Sequence, residues 1–177
     1  MEILIVNGSP RREGNTARMC RAFAEGVAAT GRGISTETVR LYDLDYKGCR
    51  SCFACKRKGA ATYGRCVVRD GLSPLLERAP RADALVIASP IYLMDVTRDR
   101  IPAPQLDALE AFIGHVFTPP RRICACDTYQ FDRYDDYAVE VFSEEAKRRH
   151  REVCFPEELR AAFDAGRETA ETLSAAR

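Results

Sequence analysis

Four of the eight cysteines in the chain lie close together, in the pattern Cys49-x2-Cys52-x2-Cys55-x10-Cys66. Thiolates spaced by three along a loop, with one more thiolate downstream, are typical of the ligands of a four-iron cluster. Zinc sites usually use two separated Cys-x2-Cys pairs instead. The pattern therefore predicts a metal site and favours an iron–sulfur cluster. Zinc is an alternative, and reduced thiols without metal are a third interpretation.

The segment that carries these cysteines, residues 45–70, is called the Cys-rich loop below. It is strongly basic, with seven Lys or Arg residues against two Asp. Nearby cations favour thiolate over thiol and offset the negative charge of a cysteine-ligated cluster. A solvated basic loop has the same composition, but here the cations alternate with the cysteines, which favours a functional role.

A second group of polar residues, at positions 9–16, is called the N-terminal turn below and follows the apolar run at residues 3–6. Unpaired backbone N–H groups at the start of a helix favour an anion. Ser9, Asn15 and Thr16 add side-chain donors, Gly14 allows close approach, and Arg11 can pair with a doubly charged phosphate. The turn lacks the P-loop Lys and the G-x-G-x-x-G pattern, so it predicts a phosphate monoester rather than ATP. A plain helix cap is the alternative.

The third candidate is Ser89-Pro90-Ile91-Tyr92, which follows the apolar run at residues 84–88. In a doubly wound sheet this loop emerges beside the N-terminal turn. It offers a hydroxyl, backbone groups and an aromatic ring to a flat heterocycle. Packing of Tyr92 on the core is the alternative interpretation.

The apolar periodicity of the chain predicts the elements that position these sites. Strands are expected at residues 3–6, 36–44, 82–92 and 121–129, and helices from about Thr16 and at 72–77, 106–117 and 156–173. This alternation indicates an α/β fold with a parallel sheet covered by helices on both faces. We expect one domain over residues 1–177, with the Cys-rich loop and a C-terminal helical segment at 132–177.

Composition excludes several classes of function. The chain has 27 Lys plus Arg and 26 Asp plus Glu, a net charge of +1, which argues against nucleic acid as a partner. Its longest apolar runs are far shorter than the roughly 20 residues that cross a bilayer, so no membrane partner is expected. No secretory signal is visible, and we expect a cytoplasmic protein with reduced thiols. His115, and His150 within the basic run at 147–151, are predicted to be structural or at the surface, and no catalytic side chain is assigned.

Three motifs together resemble the flavodoxin-like NADPH-dependent FMN reductases: Gly8-Ser9-Pro10-Arg11, Gly14-Asn15-Thr16 and Ser89-Pro90-Ile91-Tyr92. The cysteines make the chain similar to the iron–sulfur flavoprotein branch of that family. The resemblance implies a flavodoxin-like doubly wound sheet and an FMN site. Its phosphate would be held by Ser9, Pro10, Arg11, Gly14, Asn15 and Thr16, and its ribityl chain and ring would be lined by Ser89, Pro90, Ile91 and Tyr92.

By the same resemblance, the chain is expected to be a homo-oligomer. Such proteins continue after the Ser-Pro-Ile-Tyr loop with a long helix and another strand. Here residues 93–100 run directly towards Pro102 and Pro104. After residue 93 we therefore expect either a shortened version of this helix or the loss of one helix and one strand.

The function implied is that of an FMN-dependent oxidoreductase. Electrons from NAD(P)H would pass through FMN to a 4Fe-4S cluster, a quinone or another small-molecule or protein acceptor. The alternative is a non-enzymatic metal-binding module in which the Cys-rich loop holds structural zinc.

Overall fold

The computed structural model describes residues 1–90, 110–111, 113–115, 118–125, 128–129, 131, 133–136 and 143–176. Its strands are β1 (Glu2–Asn7), β2 (Ser35–Arg40) and β3 (Ala84–Ala88). Its helices are α1 (Asn15–Ala29), α2 (Ser73–Arg78), α3 (Glu144–Val153) and α4 (Phe155–Ala175). Short 3-10 turns cover Leu41–Asp43, Ala54–Lys56, Ala79–Arg81 and Tyr134–Asp136.

The described strands form a parallel sheet in the order β2-β1-β3, with β1 in the centre. Residues 2–7 of β1 pair in register with 35–40 of β2, and residues 3–7 pair with 84–88 of β3. This order matches the first three strands of the flavodoxin-like sheet, in which β1 lies between β2 and β3. The predicted flavodoxin-like α/β fold class is confirmed.

The core lies between one face of this sheet and the helices α1 and α4. Ile3 and Ile5 of β1 pack in one cluster with Cys20, Phe23 and Val27 of α1 and Ala165 and Ala170 of α4. The three α1 residues recur at helical spacing, which places them on one face. Burial of this apolar stripe stabilises the helix more than its intrinsic propensity does.

The opposite face of the sheet is less covered at β3. Leu85 and Ile87 stand opposite Leu4 and Val6 of β1, and their side chains are 44% and 60% exposed. Among the described residues, this part of the opposite face therefore has little cover. Residues 91–109, including the predicted loss of a helix and a strand after residue 93, lie outside the described residues.

Helices α1 and α4 cross at two glycines. A Cβ added at Gly26 would fall on the carbonyl oxygen of Phe163, and one added at Gly166 would fall on the carbonyl oxygen of Phe23. The backbones therefore approach more closely than any larger side chain allows. Both glycines are buried.

Two predicted strands extend too far. The strand expected at residues 36–44 ends at Arg40, because Arg40 pairs with Asn7, the last residue of β1. The chain then turns through Leu41–Asp43. The strand expected at residues 82–92 ends at Ala88, which also pairs with Asn7. Because β1 ends at Asn7, it offers no further backbone partners, and neither β2 nor β3 continues beyond that point.

The strand predicted at residues 121–129 is wrong for the residues described there. Residues 121–125 and 128–129 form no strand, and Arg121 and Arg122 instead form ion pairs with Glu168 and Glu110. Thr128 bonds to Asn15 at the start of α1. The sequence predicts four core strands, whereas the described residues contain three.

The described residues of the C-terminal part include several helical stretches. The described residues 110–111 and 113–115 are helical within the predicted helix at 106–117, and α3 and α4 lie within the predicted helical segment at 132–177. The single-domain organisation stays a prediction. Over the described stretches, none of these helices has both the length and the apolar composition that crossing a bilayer requires.

Burial in this core raises the pKa of the Cys20 thiol to about 11. We therefore expect Cys20 to resist alkylation at pH 8 in the native protein, because thiolate is the reactive species and the site excludes reagent. Counting labelled thiols by mass spectrometry before and after denaturation checks this. Cys20→Ala should leave the native count unchanged and lower the denatured count by one. Native labelling at Cys20 would contradict its burial.

Candidate functional site

The N-terminal turn is shaped by buried polar groups at the carboxyl end of β1. The Asn7 side chain accepts a hydrogen bond from the Ser9 N–H at 2.8 Å, and the Ser9 hydroxyl accepts one from the Arg11 N–H at 3.3 Å. Asn7 and Ser9 are 2% and 3% exposed. These bonds satisfy the polar groups that the turn buries and fix its path into α1.

Helix α1 begins with an open amino terminus. Its cap residue is Gly14, no side chain caps the helix, and its first turn contains no acidic residue. A Cβ at Gly14 would lie 3.0 Å from Cβ of Arg11, so the absence of a side chain there keeps the turn compact. The unpaired N–H groups and the helix dipole make this end attractive to an anion. Thr16 is half-buried in the first turn of the helix.

Asn15, which the sequence suggested as a phosphate donor, directs its amide towards the C-terminal part of the chain. Its Nδ2 donates to Oγ1 of Thr128 and to the carbonyl oxygen of Tyr129, the latter at 3.4 Å. Nη1 of Arg151 donates to Oδ1 of Asn15 at 2.6 Å. Both ends of the amide are therefore engaged by protein groups.

The outer side of the turn contacts the end of β2. Arg40 donates to the carbonyl oxygen of Pro10 at 3.3 Å, and Arg12 forms an ion pair with Asp43 at 2.8 Å. Arg11 is exposed and is the sequence neighbour of Arg12. The turn is thus bounded by guanidinium groups on its solvent side.

The turn and the third candidate site meet at the carboxyl edge of the sheet. The Gly8 N–H donates to the carbonyl oxygen of Ala88 at 2.8 Å, which places Ser89 and Pro90 beside the turn. The exposed Ser89 hydroxyl donates to the carbonyl oxygen of Pro90 at 3.1 Å. Ile91 and Tyr92 lie outside the described residues.

The Cys-rich loop is closed at its base by hydrogen bonds between its two ends. The Gly71 N–H donates to the carbonyl oxygen of Asp45 at 2.8 Å, and the Lys47 N–H donates to Asp70 Oδ2 at 2.9 Å. Hydrogen bonds from Lys47, then Leu72 and Ser73, lower the pKa of Asp70. An open cleft of about 660 Å³ lies at this base, and Cys52 and Arg50 are among the residues that line it.

The backbone of this loop turns sharply between its cysteines. Ser51 and Phe53 both have left-handed φ angles, of 52° and 55°. Left-handed backbone is uncommon for residues other than glycine and is found where the surrounding structure or a function requires it. The Ser51 N–H donates to Cys49 Sγ at 3.4 Å, and Phe53 is 69% exposed.

The four cysteines of the loop are free thiols. Cys49, Cys52 and Cys66 are exposed, and Cys55 is half-buried. Over the described stretches of chain, no three Cys, His, Asp or Glu side chains are grouped closely enough to hold a metal ion. The donor set nevertheless fits an iron–sulfur cluster chemically, because it has four accessible thiols, a backbone N–H directed at one sulfur, and surrounding cations.

A comparison with known protein families shows the family to which the chain belongs. The NADPH-dependent FMN reductase family matches residues 1–97, more than half of the chain. The chain belongs to this family. The matched segment includes the N-terminal turn, the Cys-rich loop and residues 89–92.

Individual relatives support the iron–sulfur flavoprotein branch of the family. An iron–sulfur flavoprotein of Methanocaldococcus jannaschii is 32% identical over 97 residues, which cover 55% of this chain and 47% of that protein. Another, of Archaeoglobus fulgidus, is 35% identical over 97 residues, 55% of this chain and 44% of that protein. A third, of Methanosarcina thermophila, is 30% identical over 93 residues, 52% and 45% of the two chains. The chain thus spans about half the length of these relatives over the match.

A solved structure of the NAD(P)H:quinone oxidoreductase from Methanothermobacter marburgensis supports the fold. Its TM-score to this chain is 0.53 at 18% sequence identity, and the superposition covers 94% of this chain and 98% of that one.

Sequence reasoning missed Arg151, Thr128 and Asn7 as parts of this site. Arg151 lies in the basic run that drew attention only for His150. Arg151 lies four residues after Lys147 and therefore on the same face of α3, but only the structure shows that Lys147 is buried. No local signal indicates that this face meets the first residue of α1.

Proposed function

We propose that this chain binds FMN and acts as an FMN-dependent oxidoreductase that uses NAD(P)H. The observation that carries the proposal is the bond from Gly8 to Ala88, which joins an uncapped helix terminus to the Ser89-Pro90 loop at one edge of the sheet. Membership of the NADPH-dependent FMN reductase family supports it.

The residues present fit FMN at its phosphate end. The backbone N–H groups at the start of α1 and the half-buried Thr16 hydroxyl are available donors to a phosphate, and Arg11 offers positive charge. Gly14 leaves room for close approach, and Ser9 and Pro10 set the shape of the turn. Ser89, Pro90, Ile91 and Tyr92 are proposed to line the ribityl chain and the ring.

When bound, FMN supplies the capacity to take two electrons as hydride and to release them one or two at a time. The protein's part is binding and orientation at the carboxyl edge of the sheet. The acceptor is proposed to be a small molecule or a protein. The similarity to iron–sulfur flavoproteins supports a cluster as one acceptor, and the similarity to an NAD(P)H:quinone oxidoreductase supports a quinone as another.

We further propose that Cys49, Cys52, Cys55 and Cys66 hold a 4Fe-4S cluster. The loop supplies the four thiolate ligands, and its cations and the backbone N–H directed at Cys49 sulfur would offset the negative charge of such a cluster. Formation of a homo-oligomer stays a prediction that light scattering tests.

Titration of flavin-free protein with FMN, followed by measurement of NADPH oxidation with a quinone acceptor, tests the oxidoreductase proposal. We expect quenching of FMN fluorescence at stoichiometric protein and flavin-dependent NADPH consumption. Failure to bind FMN, together with stoichiometric zinc, would overturn the proposal in favour of the zinc-binding module.

Charge reversal at Arg11 gives a sharper test of the phosphate position. Arg11→Glu is expected to weaken FMN binding roughly tenfold or more and riboflavin binding much less, because it places a negative charge near the phosphate. Fluorescence titration with both flavins measures the two affinities. Arg32→Glu, an equal charge change at an exposed position in the turn after α1, is the matched control. Equal losses for FMN and riboflavin would show that Arg11 does not contact the phosphate.

A further inference from the structure

The structure assigns to Arg151 of α3 a positioning role at the N-terminal turn. We propose that Arg151 orients Asn15 and makes the site prefer phosphorylated flavin over riboflavin. The inference rests on the proposed function, because it assumes that the FMN phosphate binds at the start of α1. It adds that the C-terminal segment, which lies outside the family match at residues 1–97, completes the phosphate site.

The first argument is the pair of contacts that hold the Asn15 amide. Arg151 and Asn15 are 136 residues apart in sequence, yet Nη1 donates to Oδ1 at 2.6 Å. Because a guanidinium can only donate, the amide oxygen must face Arg151 and the nitrogen must face Thr128 and Tyr129. The first residue of α1 is thereby held from two sides, and Thr128 is itself buried.

The second argument is that Arg151 is itself held in place. Its guanidinium carbon lies 4.4 Å from the centroid of the Phe155 ring, and Phe155 is only 2% exposed. A cation over an aromatic face gains electrostatic attraction, and the planar group loses less freedom when it forms further bonds. Arg151 therefore presents a fixed charge rather than a mobile one.

The third argument is the charge around this group. Burial, and to a smaller extent the nearby Arg18, lower the pKa of Arg151. In the part of the chain that the structure describes, no carboxylate forms an ion pair with Arg151 or with Arg18. Glu13, which precedes the Gly14 cap, is paired with Arg21 at 2.7 Å and has a weaker attraction to Arg18. Because that carboxylate is paired and the first turn of α1 contains no acidic residue, Arg151 and Arg18 favour a phosphate dianion at the helix terminus.

Three variants test the inference by fluorescence titration with FMN and riboflavin. Arg151→Gln removes the charge and the guanidinium fork, Arg151→Lys keeps the charge but loses the fork, and Arg148→Gln removes an exposed cation of the same helix as the matched control. We expect Arg151→Gln to weaken FMN binding roughly tenfold or more and riboflavin binding less than about twofold. Arg151→Lys should give an intermediate loss for FMN, and Arg148→Gln no change.

Thermal unfolding of each variant without flavin separates a positioning role from a structural one. If Arg151→Gln fails to fold, the inference is tested on Arg151→Lys instead. Equal losses of FMN and riboflavin affinity in Arg151→Lys would overturn the inference. An unchanged ratio of FMN to riboflavin affinity in a folded Arg151→Gln would also overturn it while leaving the proposed function intact. A wild-type protein that binds neither flavin would overturn the proposed function and this inference with it.

Discussion

Replacing Gly26 with alanine is expected to destabilise the protein by about 3 kcal/mol or more, the upper range for overpacking a close-packed interior. The new Cβ would collide with the carbonyl oxygen of Phe163 and lie 2.8 Å from its carbonyl carbon, and both are backbone atoms of α4. Backbone cannot rotate away as a side chain can, so α1 and α4 must move apart. That movement would loosen the apolar cluster around Phe23 and Val27. Thermal and urea unfolding measure the loss.

Gly166→Ala should behave in the same way, because its Cβ would collide with the carbonyl oxygen of Phe23 on the opposite helix. Gly48→Ala is the matched control, since a Cβ at Gly48 meets no atom within 4 Å. Its melting temperature should stay within about 2 °C of wild type, which corresponds to less than about 1 kcal/mol. Equal melting temperatures for Gly26→Ala and Gly48→Ala would show that the helices are not in close contact here.

The elements that determine this close packing could be predicted only in part from the sequence. The run at residues 3–6 and the helical spacing of Phe23 and Val27 indicated β1 and α1, because apolar periodicity is a local signal. The glycine contact between α1 and α4 joins residues more than a hundred positions apart. Nothing local to Gly26 indicates which carbonyl it will meet.

The predicted ends of β2 and β3 are wrong for a related reason. A strand continues only while a neighbour offers partners, so the end of β2 at Arg40 is determined by the end of β1 at Asn7. The alternation over residues 36–44 contains no information about that neighbour. The strand expected at residues 121–129 failed in the same way, because the described Thr128 and Tyr129 bond to Asn15 and not to a sheet.

The candidate site likewise contains residues that could be predicted from the sequence and residues that could not. The polar residues of the N-terminal turn were visible because turn chemistry is local, and the structure places Ser89 and Pro90 beside them as the topology predicts. Arg151 was not visible, because its role depends on how α3 meets the start of α1. The site residues that local sequence signals indicate thus lie in the matched family segment. Arg151, whose contact with the site depends on tertiary packing, lies in the C-terminal helices.

Single replacement of Cys49, Cys52, Cys55 or Cys66 by alanine is expected to remove most of the iron and acid-labile sulfide from anaerobically reconstituted protein. A 4Fe-4S cluster needs four thiolates, and removal of one leaves an iron without its ligand. Iron and sulfide should fall together in all four variants, because they belong to one group. Colorimetric iron and sulfide assays and the visible absorbance of the same samples measure the loss.

Cys154→Ala is the matched control, because Cys154 is a half-buried free thiol between α3 and α4, outside the Cys-rich loop. It should keep wild-type iron and sulfide. FMN affinity should change little in the four loop variants, since the N-terminal turn is built on β1 and α1 and its described hydrogen bonds involve none of these cysteines. Wild-type protein that takes up zinc but neither iron nor sulfide would contradict the cluster and favour the zinc site. Uptake of no metal at all would leave the four thiols as reduced cysteines, and the flavin proposal would then rest on the two loops at the carboxyl edge of the sheet.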